Sequence, residues 1–345
     1  MVKYIFKLIM LCLPFLALFL EPFISLSSFT FRPHESLLYY HSDAGMPFYP
    51  NHRLFMKSEG DLCANTEYAV KKDELWLTDQ LGYRNNEYVF NPDVLIIGDS
   101  FILGTSITQD STLTNLLSRK LSGKLELYNL APATFNDFVS LYEGKALSKP
   151  EIIIFSLGER EIPPELDGYN IESMYENSRV SEWINKMKRL YAINFIRSRL
   201  FPKKDKSVQS EVDEHMFFLN GKKQWDNLER IDSVLQAIET YKIFCDSLDI
   251  DLLVLPLPNK ETVYHELVPL AKQPEYLYIL DNELKKREID SFNTLELFNQ
   301  YRKGNPGMIY HLDDTHWNGT GVNLVAEEIA KIIVANPGIA SRTYE

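Results

Sequence analysis

Val94-Leu95-Ile96-Ile97-Gly98-Asp99-Ser100 sets a run of aliphatic residues directly against a sharp polar turn. A short continuous apolar run of this kind suits a strand buried on both faces, as in a parallel sheet. Similar units recur along the chain. Asp110 or Ser111 is placed to cap a helix on which Leu113, Leu116, Leu117 and Leu121 share one face. Residues 125–130 read as a second strand and 136–147 as a helix. Ile152-Ile153-Ile154-Phe155 reads as a third strand, ending at Gly158-Glu159-Arg160. After a break, a helix over 228–247 leads to a fourth strand, Leu252-Leu253-Val254-Leu255, then Pro258-Asn259-Lys260 and a helix over 261–270. A weaker fifth strand is expected near 293–297 and a last helix over 320–334. Alternating strands and helices predict an α/β fold with a doubly wound, mostly parallel sheet, in three α/β/α layers of flavodoxin-like type.

The regular part spans residues 91–337. Its break, residues 161–227, reads as an insertion capping the sheet's carboxyl edge, with a helix over 181–200 and a hairpin turn at Asn220-Gly221 after Phe217-Phe218-Leu219. Residues 28–90 read as an irregular lead-in packed on the main domain. Residues 1–27 carry Lys3 and Lys7 ahead of an apolar run, so the chain behind them is expected outside the cytoplasm. Two readings remain, a signal anchor crossing the membrane through residues 5–26 as an N-terminal hydrophobic helix, or a cleaved signal peptide with a Ser25-Leu26-Ser27 site.

With 345 residues, 45% of them hydrophobic, the chain is long enough for a large core. A formal net charge of −12 argues against nucleic acid as a partner. The basic knot Lys203-Lys204-Asp205-Lys206 reads as a solvated loop. Three cysteines, with no CxxC pair, leave Cys63 and Cys245 as either a disulfide or two separate buried thiols. No HxxxH or comparable spacing suggests a metal site, and no cofactor is expected.

Chemistry is expected beyond the carboxyl ends of the strands. Ser100 closes the turn after the first buried strand. Asp313-Asp314-Thr315-His316-Trp317-Asn318 stands just before the last helix. A serine hydroxyl becomes a nucleophile when a near-neutral base takes its proton and an acid orients that base. Ser100, His316 and either Asp314 or Asp313 supply the three parts. Asp99 is expected to fix the nucleophile turn, and the Ser100 backbone N–H to face the developing oxyanion. Activity carried by His316 is expected to fall as the imidazole protonates, near or below its reference pKa of ~6.5. Lys260 reads as a surface residue at a helix start or as a residue facing the substrate, Asn318 as a helix cap, and Trp317 as either a sugar-stacking ring or a core aromatic. His265 and His311 receive no role.

Gly98-Asp99-Ser100-Phe101 resembles the first block of the SGNH (GDSL-like) hydrolases, and Asp313-Asp314-Thr315-His316 their last block, in the same chain order. Within that superfamily the chain is most similar to alginate O-acetyltransferase-like proteins. The similarity lies in Gly98 to Phe101, Glu159-Arg160, Pro258-Asn259-Lys260-Glu261-Thr262-Val263-Tyr264 and Asp314-Thr315-His316-Trp317. The resemblance implies an exported acyltransferase or esterase for O-acyl groups of a polysaccharide or envelope glycan. It also implies a membrane-bound O-acyltransferase as acyl donor, and it selects Asp314, two residues before the histidine, as the acid. The superfamily's further oxyanion donors, a Gly after the second strand and an Asn after the third, are replaced here by Asn129-Leu130-Ala131-Pro132 and by Gly158-Glu159-Arg160. Arg160 stands either as a charge-assisted substitute or as an ion-pair partner of Glu159 or Glu161. The missing donors motivate a second expectation, a catalytically weak glycan-binding subunit. Transferase and esterase share these residues and differ in the acceptor, a sugar hydroxyl or water.

Overall fold

The computed structural model describes residues 32–37, 46–64, 67–159, 207–209, 216–219, 228–268 and 272–335, with Tyr4, Cys12 and Phe15 singly. The expected membrane segment apart from Cys12 and Phe15, Arg160, the helix over 181–200, the basic knot and Asn220-Gly221 lie outside the described residues. Among the described residues no helix is long and apolar enough to cross a membrane.

Five parallel strands form the central sheet: β3 (Val94–Ile97), β4 (Leu127–Leu130), β5 (Ile152–Gly158), β8 (Asp251–Leu257) and β9 (Asp290–Ser291), in the spatial order β4-β3-β5-β8-β9. β3, β4 and β5 are buried along their whole length, the reason their sequences are unbroken apolar runs rather than alternating ones. Counting only this sheet, the order is 2-1-3-4-5, and the direction of winding reverses beside β3. That places the turn after β3 at the topological switch point, where open α/β sheets bind ligands.

Helices cover both faces. On one, α3 (Leu113–Lys120) packs against α9 (Gly319–Ala335), and α8 (Thr294–Gly304) lies beside α9. On the other, α4 (Phe135–Glu143) meets α5 (Ile231–Ser247), where Phe135 stacks on Tyr241 at 4.2 Å, and α7 (Tyr276–Lys286) packs on α5. The doubly wound three-layer expectation is met.

Several local expectations are not. The fifth strand is Asp290–Ser291. Residues 293–297 instead open α8, because the Asn293 side chain accepts the Leu295 N–H and caps it. The helix expected over 261–270 shortens to α6 (Lys260–Val263) followed by a 3₁₀ turn at His265–Leu267. The α3 cap is Thr112 rather than Asp110 or Ser111, since those two lie in a preceding 3₁₀ turn. Cys63 and Cys245 are separate buried thiols; Cys63 sits in a small cluster with Leu62 and Phe217, and burial first, with Asp246, pushes Cys245 up to about 12.

The lead-in is not irregular. A short helix, α1 (Pro33–Leu37), packs on β1 (Arg53–Ser58), and β1 pairs antiparallel with β2 (Lys72–Leu77). Leu54, Met56 and Ser58 turn inward while Arg53, Phe55 and Lys57 face out, the two-residue period of a half-buried strand. Glu74 and Trp76 are the buried residues of β2, and the Arg84 guanidinium lies 3.9 Å over the Trp76 ring. In the insertion, β6 (Ser207–Gln209) pairs antiparallel with β7 (Phe217–Leu219).

Candidate active site

The nucleophile turn is built by the sheet. Gly98 leaves β3 so tightly that a Cβ there would stand 2.5 Å from Ile102 and 2.9 Å from Ser156. Asp99 caps the short helix α2 (Ser100–Leu103), its carboxylate accepting the Phe101 N–H at 2.8 Å. Gly104, at φ 79°, ends that helix in the left-handed conformation. Ser100 is therefore held half-buried at the switch point.

The loop before α9 is closed by an antiparallel bridge between Tyr310 and Trp317 and by Asn318, whose side chain accepts the Thr320 and Gly321 N–H groups. It delivers His316 to Ser100. The Ser100 hydroxyl lies 2.8 Å from His316 Nε2, and His316 Nδ1 lies 2.5 Å from Asp314 Oδ1. With Asp314 as a carboxylate, Nδ1–H donates to it and Nε2 is left to accept from Ser100. The His316 backbone N–H also donates to Asp314 Oδ1, at 2.9 Å. Burial opposes ionisation of Asp314, yet the charge of His316 and its hydrogen bond, with His311 and Lys72, hold the carboxyl well below its ordinary range.

The other carboxylate points elsewhere. Asp313 Oδ2 accepts the N–H groups of Gly60 and Val70, both at 2.9 Å, and both its oxygens accept from Lys72 Nζ, at 2.8 and 3.0 Å. Asp313 thus ties the loop to the lead-in, and Asp314 alone of the pair reaches His316.

Residues not singled out from the sequence complete the acid's surroundings. Asp314 Oδ2 accepts from the Asp61 N–H at 3.0 Å and the Ser106 hydroxyl at 2.7 Å. Asp61 in turn accepts from the Thr315 N–H and hydroxyl, at 2.8 and 2.7 Å. Arg84 donates to the carbonyls of Leu103, Gly104 and Ile107, bracing the segment that carries Ser106. Burial lowers the Arg84 pKa to about 9, with Glu74 opposing. A buried arginine with backbone acceptors leaves no periodic mark in sequence, and no local signal marks Asp61.

One expectation changes and another is decided. Lys260, read as a surface residue, is fully buried, and its ammonium contacts the backbone of the His316 loop. Trp317 is fully buried as well, its ring 5.6 Å edge-on from Phe101, so it braces the loop and is not presented to a sugar. The Phe101 ring also lies 5.0 Å from the His316 imidazole. After β4, Pro132 has no N–H, the Ala133 N–H donates to Gly98 O and the Thr134 N–H to Asp137 Oδ2, so these three residues offer no spare oxyanion donor. Glu159 N–H is bound to Leu257 O, and its carboxylate accepts from the Asn259 N–H and the Thr262 hydroxyl. Asp61, Asp314 and His316 bring ligand-type atoms within 4.8 Å of one another, but those groups already serve the hydrogen bonds just described.

This fold and site define an α/β domain with a Ser–His–Asp chain at the sheet's switch point. Residues 222–345 match the family model described as "SGNH hydrolase-like domain, acetyltransferase AlgX", a span that takes in the Asp314–His316 loop and not the Ser100 turn. Over that span the chain is similar to an SGNH hydrolase-like domain. Among solved structures it is similar to a protein described as lipolytic and of the G-D-S-L family from Desulfitobacterium hafniense DCB-2, at 13% identity and TM-score 0.37, over 71% of this chain and 99% of that one. It is also similar to an acetyl xylan esterase, AlAXEase, at 14% identity and TM-score 0.38, over 70% of this chain and 99% of that one. Neither likeness is close enough to carry an argument about activity. No curated protein matches by sequence.

Proposed function

We propose that the protein is an extracytoplasmic serine acyltransferase or acyl esterase acting on O-acyl groups, O-acetyl first among them, of a polysaccharide or cell-envelope glycan. One observation carries the reading, the unbroken chain from Ser100 through His316 to Asp314 at 2.8 and 2.5 Å. Ser100 Oγ attacks the acyl carbonyl while His316 Nε2 takes its proton, and Asp314 holds the imidazole and supports its positive charge. Collapse of the tetrahedral intermediate returns that proton to the departing alkoxide and leaves an acyl-serine. A sugar hydroxyl or water, deprotonated by the same imidazole, then accepts the acyl group. The description of the matched family as an acetyltransferase supports acetyl as the group moved. The basic-then-apolar residues 5–26 support a place outside the cytoplasm at the membrane, beside a membrane-bound O-acyltransferase as donor.

Purified protein from residue 28 onward, given p-nitrophenyl acetate, is expected to release p-nitrophenol and show a transient acetyl adduct on intact mass. Ser100→Ala should abolish the adduct and cut turnover on the order of 10³-fold or more. Adding glycan acceptors then sorts transfer from hydrolysis. The committed N–H groups at Ala133 and Thr134 favour a second reading, a glycan-binding subunit with weak chemistry. Glycan binding without any adduct would decide for it.

A further inference from the structure

Lys260 begins α6 directly beyond β8, and its side chain is 0% exposed. Its Nζ donates to four backbone carbonyls: Phe217 at 2.6 Å, His311 at 2.6 Å, Leu312 at 2.9 Å and Asp314 at 3.1 Å. The Phe218 ring centre lies 5.3 Å away. An ammonium has three N–H donors and accepts nothing, so among four carbonyl oxygens it acts as a compact cation in an oxygen cage. Three of those carbonyls belong to the loop that carries the acid and the base. The fourth belongs to β7, whose Leu219 N–H donates to Glu261 at 2.7 Å.

A charge buried this way is costly unless its surroundings satisfy it. Burial pulls the Lys260 pKa down to about 8, while Glu261, Asp314, Asp313 and Asp61 push it up. A methionine would fill the same space without that cost, but it would leave the carbonyls without their cation. The loop from His311 to Asp314 is neither helix nor strand, so it lacks a ladder of its own to fix its backbone. Its remaining backbone bonds come from Leu62 to Asp313 O, from Phe217 to Leu312 O, and between His311 N–H and His316 O.

We infer that Lys260 is a positioning residue: its buried ammonium fixes the backbone of residues 311–314 and thereby the reach of Asp314 and His316 to Ser100. The inference rests on the acyl-transfer reading of that triad. It extends the reading by giving the α6 start, outside the triad, control over the triad's geometry. It also links β7 of the insertion to the same cation, so strand and loop share one anchor.

Two measurements test it without turnover and one with it. In ¹⁵N-labelled wild-type protein, the Lys260 Nζ–H signal is expected to be protected from exchange, unlike surface lysines. In Lys260→Met, the far-downfield proton of His316 Nδ1 is expected to broaden or shift, while circular dichroism stays native. With p-nitrophenyl acetate, Lys260→Met is expected to lower kcat about 10²-fold with KM unchanged, the size of effect that a small misplacement of catalytic groups produces. Lys260→Arg, which keeps the charge but not the compact shape, should fall between. A folded Lys260→Met with native kcat and an unmoved downfield proton overturns the inference. So does a wild-type Lys260 ammonium that exchanges as fast as surface lysines, even if no variant folds. If wild-type protein never acylates Ser100, the catalytic reading fails, and the two NMR signals still decide whether Lys260 holds the loop.

Discussion

The two halves of the site are built by different means. Ser100 stands on a turn made by its own neighbourhood: β3 buried between β4 and β5, a glycine that admits no Cβ, a cap from the adjacent Asp99 and a left-handed glycine at the end. His316 stands on a loop held from far away in the chain. Gly60, Asp61 and Lys72 reach it from the lead-in, Phe217 from the insertion and Lys260 from the end of β8. The first half is fixed by apolar burial and local backbone geometry. The second is fixed by charges and backbone carbonyls, whose worth depends on every partner being present. The nucleophile half should tolerate loss of a single polar contact, and the acid–base half should not.

The largest test of that contrast separates the two neighbouring aspartates. Asp314→Asn keeps the shape but removes the charge that orients and supports the imidazole. A loss in kcat on the order of 10³- to 10⁴-fold is expected, together with a loss of folding stability, because the buried carboxylate held well below its ordinary range stabilises the fold as an anion. Asp313→Asn should lose stability with a much smaller kinetic loss. It leaves the 11%-exposed Lys72 ammonium without its anionic partner and costs about 3 kcal/mol of folding stability. Paired kinetics and thermal melts check the contrast. Equal kinetic losses in the two variants would mean that the acid's identity is not settled by reach to His316.

A second test uses acid. Burial first, then Lys72 and His316, lower the His311 pKa to about 4 from a reference of 6.5, while Asp314 and Asp313 act the other way. The unfolded chain therefore binds more protons than the folded one between those values, and stability rises with pH across that window. The contribution is complete above about pH 6.5 and lost as pH falls toward about 4, a change of at most about 3 kcal/mol for this half-buried group. His311 sits in the same loop, its carbonyl on Lys260 and its N–H on His316 O. Denaturant melts of wild type and His311→Phe from pH 7 to 4 should diverge by that amount. Parallel curves would free the acid–base loop from any pH dependence due to His311.

The same contrast explains which parts of the site are legible in the sequence. Gly98-Asp99-Ser100 is legible because its causes are adjacent in sequence, an apolar run followed by a glycine and a capping aspartate. Residues 311–318 are marked by their place before an apolar-faced helix, but their support is not. Lys260 occupies the same kind of strand end as Ser100, and the surface reading fails because its four acceptors are backbone atoms, which carry no residue identity. Asp61 and Arg84 act across 254 and 20 residues respectively through backbone groups or neighbours' side chains, so no spacing announces them. Two elements missed in the sequence do carry a signal. The alternation of Leu54, Met56 and Ser58 is a strand period, and Tyr276, Leu277, Leu280 and Leu284 share one helical face in α7. The misplaced fifth strand is a different case: β9 is two residues long, too short for any periodicity to register.

The smallest effect is expected at Asp99, and it bears on the local half directly. Its carboxylate caps the Phe101 N–H within two residues of the nucleophile. Asp99→Ala removes one cap and should cost about 1 kcal/mol of stability. Asp99→Asn or Asp99→Ser, which cap equally well, should restore it. If the turn is held mainly by β3 burial and by Gly98, kcat in all three variants should stay within about fivefold of wild type, an effect no larger than the free energy of one cap. Kinetics on p-nitrophenyl acetate beside chemical melts measure both quantities. A fall in Asp99→Asn as deep as that of Asp314→Asn would show the Asp99 charge acting on the reacting groups, and the nucleophile half would then depend on polar contacts as the acid–base half does.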